Sequence, residues 1–237
     1  MLTLYCKICN LQTTEFAQAA ILQKYKISYF HCPNCGFVQT EDPYWLNEAY
    51  TQAIADEDTG LVKRNLIFSD LTAAFIDTAL DRHGRFLDYG GGYGLFVRLM
   101  LDKGYNFYRY DLHCQNLFAK GYDALLQDDE HYELITAIEV FEHFLSPMNE
   151  ISKLLKHSDT ILFCTHLIGQ IPPPPAEWWY YALPSGQHIA LYSLASLEYI
   201  AKTLNLNLYT DKNRLHILTR KSNLNIDAAF SLENLNL

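Results

Sequence analysis

The sequence has no apolar run long enough to span a bilayer, and its first residues, Met1-Leu2-Thr3-Leu4-Tyr5-Cys6-Lys7, lack the apolar core of a secretory signal. Neither a membrane-spanning nor an exported protein is expected, and the chain reads as cytoplasmic. Basic residues are scarce. Eighteen Lys and Arg stand against 27 Asp and Glu, a net charge of -9, so the bulk surface repels phosphate backbones and nucleic acid is not an expected partner. Charged residues make up only 19% against 49% apolar, which excludes a disordered chain. No internal repeat is evident. A length of 237 residues suits one α/β domain with an appendage.

Within that frame, four of the six cysteines fall in the first 40 residues, as Cys6-x2-Cys9 and Cys32-x2-Cys35. In a reducing compartment such cysteines are thiols or metal ligands rather than disulfides. Each knuckle offers two thiolates from a tight turn, and tetrahedral zinc takes four. Residues 1–43 are therefore expected to form a small zinc-binding module around Cys6, Cys9, Cys32 and Cys35. A closed four-sulfur site has no open coordination position, so its role is structural. Cys114 and Cys164 read as ordinary buried thiols.

Residues 44–82 read as a helical connector or lid, with an apolar stripe from Leu66 to Ala79. A strand–helix alternation follows over residues 83–222. Strands are expected over 85–89, 106–110, 133–140, 160–165, 206–210 and 215–219, with Phe118-Ala119 as a short further strand. Helices are expected over 95–103, stopped by Gly104; after Ser146-Pro147, with Ser146 as cap; and over 194–204, capped by Ser193. The alternation implies a parallel sheet with helices on both faces, and the last two strands, with no helix between them, should pair antiparallel. An insertion at 170–188 breaks the rhythm with Pro172 to Pro175 and the aromatic run Trp178-Trp179-Tyr180-Tyr181. Residues 223–237 read as a loosely held tail.

The chemistry begins where the first strand of that alternation ends, at Asp88-Tyr89-Gly90-Gly91-Gly92-Tyr93-Gly94. A strand, a glycine-rich turn and a helix bring backbone N–H groups and the positive helix end beside a ligand. The dinucleotide fingerprint starting at Gly90 requires glycine at position 95, which is Leu, so a nicotinamide oxidoreductase fits poorly. The pattern that fits is D-x-G-x-G-x-G. Asp111 closes the next strand, where a carboxylate can accept both ribose hydroxyls.

Residues from Phe86 to about Thr219 resemble the class I S-adenosylmethionine-dependent methyltransferases. The resemblance rests on Asp88 to Gly94, Asp111, and the segment Glu139-Val140-Phe141-Glu142-His143. It implies a Rossmann-like, seven-stranded sheet with the last strand antiparallel. It also implies a cofactor site built from Asp88, Tyr89, Gly90, Gly91, Gly92, Gly94 and Asp111, with Leu112 along the adenine, Phe118 as a candidate beyond it, and Glu139. A zinc module ahead of such a domain is similar to methyltransferases acting on nucleotide-linked sugars, which carry a further C-terminal domain without a counterpart in these 237 residues.

Three readings of the acceptor side stand open. His188 or His143 is a general base, since imidazole titrates near neutrality. Alternatively Glu139, Glu142, His143 and His188 hold a divalent metal that activates a hydroxyl, as similar segments do in ubiquinone-pathway O-methyltransferases and small-RNA 3′-terminal ribose methyltransferases. In the third, the segment only caps a helix. Trp178, Trp179 and Tyr181 are candidates for an acceptor lid, and Arg64 for the cofactor carboxylate. The expected activity is methyl transfer from S-adenosylmethionine to a small acceptor, at a sugar- or metabolite-type hydroxyl or carbon. The alternatives are a metal-dependent ribose methyltransferase acting on RNA ends, and a zinc-containing binding module that has lost catalysis.

Overall fold

The computed structural model describes residues 4–51, 59–127 and 129–226. Near the N-terminus β1 (Thr14–Ile21), β2 (Tyr25–His31) and β3 (Val38–Thr40) form an antiparallel meander, followed by one helical turn, α1 (Leu46–Ala49). Next come α2 (Leu61–Ala79), β4 (Arg85–Tyr89), α3 (Leu95–Asp102), β5 (Asn106–Tyr110), β6 (Leu134–Ile138), α4 (Pro147–His157) and β7 (Thr160–Cys164). The chain ends with β8 (Ala190–Leu191), α5 (Leu194–Thr203), β9 (Asn207–Thr210) and β10 (Leu215–Thr219).

The central sheet has the order β5-β4-β6-β7-β10-β9. Its first four strands are parallel, and β10 runs antiparallel to both β7 and β9. Every residue of β7 and β10 is buried, because helices cover both faces. On one face α2 and α3 supply Phe68, Phe75, Phe96 and Met100; on the other α4 and α5 supply Ile151, Leu154, Leu197 and Ile200. Gly104, at φ +87° just beyond α3, stops that helix as expected. Ser193 closes a capping box with Ser196 at the start of α5.

Six strands make up this sheet among the described residues, against the seven expected. Phe118-Ala119 forms no strand. Asn116 holds those residues in a turn, its side chain accepting from the Ala119 N–H at 2.9 Å and donating to the Ala119 carbonyl at 2.7 Å. Only after Gly121 (φ +88°) does the chain meet β5, as a single parallel bridge of Asp123 to Arg109. Ser146 occupies the N-cap position of α4, but its hydroxyl bonds the Asn149 side chain instead of the helix backbone. The tail expected over 223–237 lies mostly outside the described residues.

The N-terminal meander is joined to the rest through β8, which follows the 170–188 insertion and pairs with β3 (Val38 with Leu191, Gln39 with Ala190). The Trp45 indole N–H donates to the Gly186 carbonyl at 2.8 Å, and the Gln187 amide to the Ala49 carbonyl at 2.8 Å. Cys32, Cys35 and Phe37 share one apolar cluster with Leu87 and Ile135 of the central sheet and with Phe141 just beyond β6.

His216 on β10 is fully buried, its Nε2 3.0 Å from the Thr165 carbonyl and its Nδ1 2.7 Å from the Thr210 hydroxyl. Burial lowers its pKa from 6.5 to about 4. Between those values the unfolded chain binds a proton that the folded chain refuses, so stability is lost as pH falls through that window. His216→Gln is expected to flatten the dependence by up to about 1.4 kcal/mol per pH unit, measured by urea denaturation across the window.

Candidate active site

A cavity of about 1120 Å³ opens along the C-terminal ends of the parallel strands. The glycine loop forms one wall. Gly90 has φ +70°, and a Cβ there would lie 2.6 Å from Val140 Cγ2. A Cβ on Gly91 would lie 2.8 Å from Asp88 Oδ2 and 2.7 Å from Arg109 Cγ. Asp88 itself is buried beneath the loop and accepts from the Thr136 hydroxyl at 2.7 Å; burial pushes its pKa up to about 7. Asp88 therefore shapes the turn from below.

Asp111, at the end of β5, accepts from the Gly92 N–H at 2.9 Å and from the His113 and Cys114 N–H groups at 2.7 Å each. These bonds tie the acid to the glycine loop and fix its carboxylate at the cavity wall. Tyr89, Gly90, Gly91, Gly92, Leu112 and Glu139 line the same cavity. Gly94 and Phe118 do not. Gly94, at φ +84°, is the N-cap of α3, and Phe118 belongs to the Asn116 turn.

The opposite wall comes from the Glu139–His143 exit and the 170–188 insertion. Glu139 leaves β6 at φ +55°, a backbone region that non-glycine residues enter at a cost, and its Oε1 accepts from the Cys164 thiol at 2.8 Å. That contact gives Cys164 a role beyond the plain buried thiol expected of it. A single helical turn, Phe141–His143, then brings Glu142 and His143 inward. Glu142 is fully buried; its Oε1 accepts from the Tyr180 hydroxyl at 2.7 Å, and its Oε2 has no partner. Burial, then the neighbouring Glu139 charge, raises the Glu142 pKa well above the carboxylate range.

His188 Nδ1 lies 2.7 Å from the Tyr180 carbonyl, and His143 Nδ1 lies 3.1 Å from both the Gln187 carbonyl and the Tyr50 hydroxyl. A carbonyl only accepts, so each Nδ1 carries the proton and each Nε2 presents a lone pair. Burial lowers the His143 pKa to about 4 and that of His188 to about 3. The ligand atoms of Glu142, His143 and His188 lie within 4.8 Å of one another. Glu139, engaged with Cys164, is outside that group.

Of the aromatic run, Trp178 and Trp179 line the cavity, and Trp179 is 71% exposed. Tyr181 does not reach it. Its ring packs edge-on to Tyr29 at 5.1 Å, and its hydroxyl donates to the Pro173 carbonyl, so it anchors the insertion. Tyr180 is the residue the sequence did not single out, and it is the one that touches Glu142. Tyr50, His166 and Arg214 also line the cavity and carried no motif.

The four N-terminal cysteines form a second cluster. Cys6 and Cys35 Sγ are 3.6 Å apart, Cys9 and Cys32 Sγ 3.4 Å, and all four lie within 4.8 Å of one another. Sulfurs on a tetrahedral zinc at 2.3 Å stand about 3.8 Å apart, so the donor set and its spacing fit that ion. The hydrogen bond with Cys35 holds the Cys6 thiol down at about 5.

A doubly covered α/β sheet with a glycine loop closing β4, an acid closing β5 and an antiparallel terminal hairpin defines a class I methyltransferase fold. The chain belongs to the methyltransferase-domain family, whose model matches residues 63–211, and is thus an S-adenosylmethionine-dependent methyltransferase. Similar solved structures include the plantazolicin methyltransferase BpumL in complex with SAH (10% identity over 76% of this chain and 92% of that one, TM-score 0.49). Another is an O-methyltransferase family 2 protein from Planctomyces limnophilus in complex with apigenin (16% identity, 73% and 65% covered, TM-score 0.44). A third is an O-methyltransferase family protein from Burkholderia thailandensis (13% identity, 67% and 58% covered, TM-score 0.43). No curated protein matches the sequence. No helix among the described residues is long and apolar enough to cross a membrane.

Proposed function

We propose that the chain methylates a hydroxyl of a small-molecule acceptor, with Glu142, His143 and His188 holding a divalent cation at which that hydroxyl is activated. The observation carrying this reading is the buried Glu142 Oε2, which has no partner and lies in one group with two imidazoles. A buried carboxylate needs a cation or a proton, and two neutral imidazoles complete a donor set suited to a divalent metal. Histidines with pKa values of about 4 and 3 are weak bases at neutral pH, which weighs against the general-base reading.

S-adenosylmethionine supplies the electrophilic methyl group on its sulfonium. The chain's part is placement. Gly90 and Gly91 let the loop pack tightly on Val140, Asp88 and Arg109 along the cavity wall, and Asp111 presents a carboxylate to the ribose hydroxyls. Glu142, held by Tyr180, and the two histidines orient the acceptor oxygen, and the cation would polarise it toward its deprotonated form. Trp178 and Trp179 form the wall that excludes water from above. In this reading residues 170–188 are the acceptor lid of a methyltransferase domain over 83–222, and residues 44–82 connect it to a zinc-stapled module over 1–43. The net charge of -9 opposes RNA as the acceptor.

The test is incubation with S-adenosylmethionine and a panel of catechols, nucleotide sugars and a short RNA, read by mass spectrometry. A gain of one methyl group on a small hydroxyl compound is expected, lost with a chelator and restored by Mn2+. Turnover that ignores the chelator would contradict the metal reading. Methylation confined to the RNA would contradict the acceptor class, and cofactor binding without any product would favour a non-catalytic module.

A further inference from the structure

Arg214 stands just before β10, beside the end of β7, its carbonyl accepting from the Thr165 N–H at 3.0 Å. The residue is only 7% exposed, and its Nε and Nη2 have no hydrogen-bond partner. Among the described residues it makes no ion pair. Its guanidinium sits 5.2 Å from the centre of the Phe68 ring, which offers a face and no acceptor. A guanidinium cannot shed its proton, so a buried one without a partner is a standing demand for an anion.

Its position says which ligand meets that demand. Arg214 lines the cavity at the β7 and β10 side. The cofactor elements lie across β6 from it, the glycine loop after β4 and Asp111 after β5. The Arg214 end of the cavity also carries His166, whose ring stands edge-on to Trp179 at 5.2 Å. The charges of Glu139, Arg214, Asp211 and Arg64 all act on His166, so acids and arginines both reach this end. Glu139 is the nearest acid of this end, but its Oε1 accepts from the Cys164 thiol and it forms no ion pair with Arg214 among the described residues.

We propose that Arg214 recognises an anionic group, a carboxylate or phosphate, on the methyl acceptor. The inference rests on the cavity being the methyltransferase site and adds a substrate class to it: a hydroxyl compound that carries a negative charge at the end remote from the cofactor. A planar fork of donors binds either anion through paired, charge-assisted bonds.

The test titrates the SAH-saturated chain by calorimetry with catechol and with 3,4-dihydroxybenzoate, which differ by the carboxylate. Inorganic phosphate is titrated separately, into the chain with and without SAH, at matched ionic strength. Dihydroxybenzoate is expected to bind roughly tenfold or more tighter than catechol. Arg214→Gln should erase that difference and weaken phosphate binding, while SAH affinity stays within about twofold. Arg214→Lys keeps the charge without the fork and should retain part of the preference, which guards against a variant that fails to fold. Equal affinity for the two phenols, or no binding of either anion to the unsubstituted chain, would overturn the proposal. So would a parallel loss of SAH affinity in Arg214→Gln, which would assign the guanidinium to the cofactor's carboxylate. Failure of SAH to bind the unsubstituted chain would refute the methyltransferase reading instead, since phosphate titration without SAH still reports on Arg214.

Discussion

Cys32→Ser is expected to lower the melting temperature by roughly 8–16 °C and to remove bound zinc. The knuckles bring four thiols to the spacing of a tetrahedral site, and a serine cannot replace a thiolate there. The damage would not stay local. The Cys35 carbonyl accepts from the Ser193 hydroxyl at 2.7 Å, and that hydroxyl also caps α5. Cys32 and Cys35 are fully buried in a cluster continuous with Leu87, Ile135 and Phe141 under the glycine loop. Loss of a structural metal in such a setting costs about 4 kcal/mol or more, and each kcal/mol moves the midpoint of a chain of this size by about 2–4 °C. Scanning calorimetry with elemental analysis checks it. An unchanged midpoint and metal content would leave the cysteines as packed thiols.

The second large effect separates chemistry from stability. Glu142→Gln is expected to reduce turnover by about a hundredfold or more while leaving the metal-free chain as stable as before, or more stable. The carboxylate is buried, one oxygen lacks a partner, and its pKa is driven up by burial. A neutral amide of the same shape removes the cost of that charge and keeps the acceptor for the Tyr180 hydroxyl. A merely structural acid would behave differently, losing stability along with activity. The companion measurement is the midpoint shift on adding Mn2+, expected in the unsubstituted chain and absent in Glu142→Gln. A shift of equal size in both would place the cation elsewhere.

Much of the sheet was legible because its strands are buried on both faces and so read as short apolar runs between turn residues. Leu134–Ile138 and Thr160–Cys164 are of that kind, and the hairpin of β9 and β10 followed from two strands with no helix between them. The third strand failed for a local reason. Asn116 and Gly121 hold Phe118-Ala119 in a turn that a list of apolar residues does not reveal. The N-terminal meander was hidden as well. Its first hairpin turns at Leu22-Gln23, both at positive φ, where a tight turn ordinarily announces itself by Asn or Gly.

The candidate site divides along similar lines. Motifs with a fixed spacing, the glycine loop and the two knuckles, could be read directly, and Glu142 and His143 came with the segment after β6. Tyr180 and Arg214 could not be read. Each acts through burial beside a chain-distant partner or cavity, and a tyrosine in an aromatic run or an arginine ahead of a strand carries no pattern of its own. Tyr181 illustrates the converse: within one run of four aromatics, the side that faces the cavity is set by the turn at Trp179–Tyr181 and by packing on Tyr29.

Calorimetric titration of S-adenosylhomocysteine into the intact chain and into Asp111→Ala tests the cofactor site directly. Asp111 fixes both the Gly92 N–H and the turn that follows β5. One binding site is expected in the unsubstituted chain and a loss of affinity of at least about tenfold in the variant, with the fold retained. Equal affinity in the two chains, or no binding in either, would contradict it.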